Sequence, residues 1–106
     1  KLMSSSYLLS KCDIVTTIVA LNVGGSTMVA PANPQRVWIN ILPSTGSQMY
    51  FAHKEIPTGF GANYFWSGNS PGLRFTCPID GIIPKLEFHA YSGGPSHCIV
   101  TEIIEI

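Results

Sequence analysis

Charge is what this chain of 106 residues has least of: six Lys plus Arg and six Asp plus Glu make 11% of the residues and cancel to a formal net charge of zero. An ordinary soluble domain carries about 25% charged residues. Without a basic excess there is no electrostatic footprint for nucleic acid or for an acidic lipid surface, and neither is expected as a partner. Long apolar runs are also missing. Stretches such as Ile18 to Leu21 fall far short of the roughly 18 to 20 residues of a membrane-spanning helix. Cysteine is sparse and odd in number: Cys12, Cys77 and Cys98 contain no C-x-x-C, which argues against a disulfide framework and a zinc knuckle. They read as buried thiols behaving as small hydrophobes, with a Cys77–Cys98 bridge open only if their strands are neighbours. The opening Lys1 to Ser10 has a basic start but too short an apolar stretch for a secretory leader, and Lys at position 1 points to a processed or incomplete start.

Catalytic signatures are lacking too. There is no Gly-x-Ser-x-Gly, and His97-Cys98 are adjacent on a strand, which turns them to opposite faces. His53, His89 and His97 have no metal-ligand spacing, although His89, His97 and Cys98 could approach across a hairpin. Two Asp and four Glu, most of them alternating with apolar positions, do not pair as a glycosidase's carboxylates would. Gly59-Phe60-Gly61 lacks the rest of a dinucleotide fingerprint. No catalytic residue, metal or cofactor is assigned.

What is present is β-branched and aromatic residues in short runs, 45% hydrophobic overall, punctuated by ten Gly and eight Pro. The length fits one domain. Candidate strands are Ile14 to Leu21, Ser26 to Val29, Arg36 to Leu42, Gln48 to His53, Asn63 to Trp66, Leu73 to Thr76, Lys85 to Tyr91 and Cys98 to Ile106. Turn residues separate them every 8 to 12 residues, at Asn22 to Gly25, Pro31 to Pro34, Pro43 to Gly46, Pro57 to Gly59, Ser67 to Gly72, Asp80-Gly81 and Ser92 to Pro95. That rhythm predicts an all-β fold, an antiparallel β-sandwich of jelly-roll or related Greek-key kind. Residues 1–13 read as an arm and 14–106 as the sandwich.

Alternation assigns faces. Leu86, Phe88 and Ala90 turn inward, leaving Lys85, Glu87, His89 and Tyr91 wet. Val37, Ile39 and Ile41 face the core, with Arg36, Trp38, Asn40 and Leu42 opposite. The last strand is apolar on both sides, Ile99 and Ile103 on one, Val100, Ile104 and Ile106 on the other. A strand with two dry faces needs cover on both, and so small a sandwich cannot easily supply it. Association follows, with Arg36, Trp38, Asn40, Leu42, Ile104 and Ile106 as interface residues. The other reading leaves Glu102 and Glu105 in solvent and the isoleucines in an oversized core. The aromatic group Phe60, Tyr64, Phe65 and Trp66 reads as core, or as a platform on which Tyr64 and Trp66 stack a sugar.

Asn33-Pro34-Gln35-Arg36, leading into Val37-Trp38-Ile39-Asn40-Ile41, resembles a turn-into-strand segment of small β-sandwich virion proteins of tailed bacteriophages, of the head decoration, cement or fibre-base type. The order of parts is similar over residues 14 to 106: Met49-Tyr50-Phe51, a Gly-rich loop, Tyr64-Phe65-Trp66 and a closing alternating strand. Pro43 interrupts earlier, and the Lys54 to Pro57 loop is longer, than in such domains. The resemblance implies an architectural role in a virion, with capsid, tail and fibre all open; joined to the association argued above, the expectation is a non-enzymatic structural protein of the capsid surface, a homo-oligomer with a trimer as first expectation, clamping the major capsid protein or other virion proteins. The alternative is a carbohydrate-binding adhesin or fibre module that stacks sugars on Tyr64 and Trp66.

Overall fold

The computed structural model describes residues 12–43, 48–56, 61–68, 70–92 and 96–106. Residues 1–11 of the expected arm, the turns at 44–46, 57–59 and 93–95, and Phe60 lie outside the described residues. Among the described residues are eight strands: β1 (Cys12–Ala20), β2 (Gly25–Ala30), β3 (Arg36–Pro43), β4 (Met49–Ala52), β5 (Tyr64–Trp66), β6 (Leu73–Thr76), β7 (Phe88–Ser92) and β8 (His97–Glu105). Each overlaps a strand expected from the sequence. Cys12 and Asp13 belong to β1, so the sandwich begins two residues earlier than alternation alone indicated.

The strands form two antiparallel four-stranded sheets, ordered β1-β8-β3-β6 and β2-β7-β4-β5, packed together as a β-sandwich. Successive strands pass from one sheet to the other at every connection but two-stranded β4-β5. Such a path draws distant parts of the chain together, so that β1 lies against β8 from Cys12↔Glu105 to Ala20↔His97. Gly24 and Gly81 sit in turns at φ of 70° and 62°, a region that L side chains rarely enter. In the second turn Asp80 Oδ2 accepts the Thr76 N–H at 2.8 Å, the local bond that makes Asp-Gly a turn signal.

Ile39, Ile41, Met49, Phe51, Phe88, Ala90, Cys98 and Val100 fill the space between the sheets, with Trp66 closing one side. Trp66 Nε1–H donates to the Pro71 carbonyl at 3.0 Å, which satisfies its one polar atom inside the core. The three cysteines are free, so the optional Cys77–Cys98 bridge is not formed.

One departure from alternation organises the fold. A bulge between Arg36 and Trp38 inserts Val37 as an extra residue against β8, where Arg36 pairs with Ile104 and Trp38 with Ile103. The added residue reverses the face of everything before it. Arg36 therefore turns inward and is completely buried, instead of lying outside with Trp38. Its guanidinium donates from Nε to Pro84 O at 2.6 Å and from one terminal nitrogen to Leu86 O at 2.6 Å. The other terminal nitrogen bonds Pro31 O at 3.0 Å and pairs with Glu102 Oε2 at 2.8 Å.

Around it, Asn33 Oδ1 accepts the Gln35 N–H at 2.9 Å, and Lys85 Nζ donates to Pro34 O at 2.7 Å. Glu102, expected in water, is thus committed to an internal pair. The same cluster explains why the seventh strand starts late: Ile83–Lys85 form a 3-10 turn whose Pro84 carbonyl, with that of Leu86 just after it, accepts from Arg36. His89 is also buried rather than wet, its Nε2 against Glu87 Oε2 at 2.5 Å.

Replacing Arg36 by Met strands the Glu102 carboxylate and three carbonyls, and costs about 3–5 kcal/mol of stability by urea unfolding. Glu102→Gln, which leaves the guanidinium an acceptor, costs measurably less in the same assay.

Candidate functional site

The outward side of the β1-β8-β3-β6 sheet is built from residues that alternate with the core. Because Ile39, Ile41, Cys98 and Val100 point in, Trp38, Asn40, Leu42, Ile99, Thr101 and Ile103 point out. The register completes three rows across the sheet. Ile14, Ile103, Trp38 and Thr76 form the first, and Thr16, Thr101, Asn40 and Arg74 the second. Ile18, Ile99 and Leu42 form the third. Two apolar ridges, about 13 Å apart along the strands, flank a polar row whose one charge is Arg74.

Ile14, Ile18 and Leu42 are 68%, 70% and 38% exposed, while Trp38, Ile99 and Ile103 are half-buried. Isolated surface isoleucines are unremarkable, but a contiguous apolar face marks an interaction surface. Asn40 contributes its own anomaly, since among the described residues its buried Oδ1 has no hydrogen-bond partner. A Cβ on Gly72 would stand 2.8 Å from that oxygen, so the side chain is pinned beneath the Gly72 backbone.

Sequence reasoning placed six residues at an interface, and the structure divides them. Trp38, Asn40 and Leu42 share the outer face. Arg36 is not on the surface at all, for the reason given by the bulge. Ile104 pairs with Arg36 and Asp13 on the opposite side of the sheet, half-buried. Ile106, past the end of β8, is 80% exposed. Four members of the ridges, Ile14, Ile18, Ile99 and Ile103, were not singled out. Alternation in β1 puts Ile14 and Ile18 on one face, but only the register brings that face beside Trp38 and Leu42.

Of the aromatic group read as core or as a sugar platform, Phe65 is 54% exposed and Phe60 lies outside the described residues. Trp66 is 3% exposed and packed in the core, so it offers no face to a sugar. Tyr64 is half-buried and stands edge-on to His53. His53 Nδ1 lies 3.0 Å from the Glu87 carbonyl, which can only accept, so Nδ1 carries the proton. In the neutral ring Nε2 then accepts the Tyr64 O–H at 2.8 Å. Burial, and secondarily the Asp80 charge, push the Tyr64 phenol above its ordinary 10.0. A phenol held protonated is no nucleophile at neutral pH; the pair ties β5 to the segment before β7.

His97 is exposed and Cys98 buried, as opposite faces require. Cys98 Sγ–H points to Met49 Sδ at 3.6 Å. Among the described residues no three His, Cys, Asp or Glu side chains gather as a metal set would, and no helix is long and apolar enough to cross a membrane. A scan against protein-family models found no match to this chain, and neither did searches of curated proteins and of solved structures.

Burial raises the Cys98 thiol from 9.0 to about 12. Its folded form stays neutral where the unfolded thiol ionises, so the stability it contributes is complete below pH 9 and declines as pH rises toward 12. Urea unfolding across that window falls more steeply for the parent chain than for Cys98→Ala. In the folded state Cys98 resists alkylation at pH 8, whereas the partly exposed Cys12 and Cys77 react.

Proposed function

We propose that this protein is a non-enzymatic structural component of a bacteriophage virion, a decoration or cement protein that assembles as a homo-oligomer and clamps neighbouring capsid subunits at the capsid surface. The outer face of the β1-β8-β3-β6 sheet carries this reading. It has two apolar ridges, a polar row between them and almost no charge, which suits adhesion to another protein surface rather than solvation. The strand orders β1-β8-β3-β6 and β2-β7-β4-β5 support reading the sandwich as a jelly roll, an architecture that recurs in viral capsid domains and in lectins. The lectin alternative loses its main residue with Trp66 in the core.

Adhesion here needs no moving parts. Each isoleucine or leucine removed from water contributes about 1.5–3 kcal/mol when fully covered, and identical contacts repeated around a shell add through effective concentration. The rigid sandwich holds both ridges in place before binding, which limits the ordering cost.

The test is co-sedimentation of the purified chain with tailed-phage shells stripped of accessory proteins. The chain pellets with the shells, and Leu42→Lys combined with Ile99→Lys weakens that binding at least about tenfold, a loss of about 1.4 kcal/mol or more. A chain that stays in the supernatant at every ratio overturns the reading. A saccharide titration followed by tryptophan fluorescence gives no saturable response.

A further inference from the structure

β1 is a sheet edge with little protection. Its nine residues pair with β8 on one side, and among the described residues no strand lies on the other. An open edge offers unpaired N–H and C=O groups, which proteins ordinarily blunt with Lys, Pro or a bulge. β1 has none of these: its register with β8 is unbroken from Cys12 to Ala20, and its one charge is Asp13 near the start. Beside the two exposed isoleucines, Val15 on the inner side is 38% exposed. The strands of the opposite sheet are six, five, four and three residues long, shorter than the nine of β1 and β8.

We propose that β1 pairs antiparallel with β1 of a second copy of this chain about a two-fold axis at Thr16, fusing two four-stranded sheets into one of eight. This deepens the assembly reading above by naming a partner and a register. A two-fold axis perpendicular to the sheet keeps outer faces continuous only when opposed residues share parity. Centring on Thr16 sets Ile14 against Ile18 of the second copy, Val15 against Thr17, and Thr16 against itself, pairings of the kinds that stabilise antiparallel sheets. Centring on Thr17 would instead oppose Ile18 to Thr16.

Two further consequences favour Thr16. The row Trp38-Ile103-Ile14 runs on into Ile18-Ile99-Leu42 of the second copy, and the reverse, so both apolar ridges cross the junction without a break. Asp13 meets Val19 and not another Asp13, so no like charges are opposed. A trimer, expected from the sequence, gives way to a pair because antiparallel edge pairing is complementary to itself about a two-fold axis.

The strip is about 30 Å long and about 10 Å thick, about 300 Å² against the roughly 800 Å² per partner of a standard interface. The pair is therefore weak and exchanging, populated at roughly tens of micromolar and above.

Sedimentation velocity of the full chain without shells, from about 10 μM to about 1 mM, is the test. The expected result is a reversible shift from monomer to dimer mass. Ile14→Lys and Ile18→Glu each weaken the dimer at least about tenfold, and the I14K/I18E double variant recovers it, because the register places the new opposite charges against each other. Both positions are exposed, so folding is retained, and near-ultraviolet circular dichroism checks it. Amide exchange of the parent chain adds a readout that needs no variant: β1 amides gain protection with concentration.

A monomer throughout the range, a trimer, or a double variant no better than the single ones overturns the proposal. Shell binding by a chain that stays monomeric would sink the pairing and spare the clamp reading; a dimer that ignores shells would do the opposite.

Discussion

A buried guanidinium holds this sandwich together at one end. Arg36 has no contact with solvent, and its donors reach the loop before β3, the 3-10 turn before β7, and Glu102 on β8. A planar fork with several donors is suited to such a junction, where a single-headed ammonium could not serve carbonyls in different directions. Lys85 stays on the periphery, bonding Pro34 O and, more loosely, Arg36 O. Burying a charge is costly unless every partner is present, so the cluster forms as a unit or not at all. It thereby ties the connection between β2 and β3 to the connection between β6 and β7.

That constraint also shapes the exterior. Because the bulge at Val37 absorbs the change of face, Arg36 can point in while Trp38 still points out into the first apolar ridge. The ridges, the open edge of β1 and the unequal lengths of the two sheets belong to one arrangement. A long sheet overhangs a shorter one, and its overhanging strand exposes apolar residues on both sides. A chain with 11% charged residues has little with which to solvate such a surface. The assembly proposed for it rests on that imbalance, and the edge pairing adds main-chain complementarity to it.

Much of the architecture was legible beforehand. Turn residues in the gaps and β-branched residues in the runs located all eight strands, since each type acts through local backbone preference. Buried Ile39, Ile41, Phe88 and Ala90 followed from alternation, whereas Val37, displaced by the bulge, and Leu86, beside the 3-10 turn, are only half-buried. The errors have physical causes. Arg36 was misplaced because a bulge changes parity without any mark in composition. His89 and Glu102 are polar in type, which predicts exposure, yet each has a charged partner beside or across a strand that draws it out of water. Trp66 lies in the core, as the first reading of its aromatic group has it, with a carbonyl partner for its one polar atom that spacing does not reveal.

Local sequence determined which residues extend, where the chain turns, and which side chains on a regular strand face together, because those depend on neighbours one or two positions away. Tertiary structure decided the rest. Ile14 meets Ile103 and Trp38 only because β8, almost ninety residues later, lies between β1 and β3. Burial of Arg36 required partners 48, 50 and 66 positions distant to be in place. Nothing in a local stretch carries that information, since pairing across a sheet is fixed by register, and register is set where both faces of the whole sheet find their best cover.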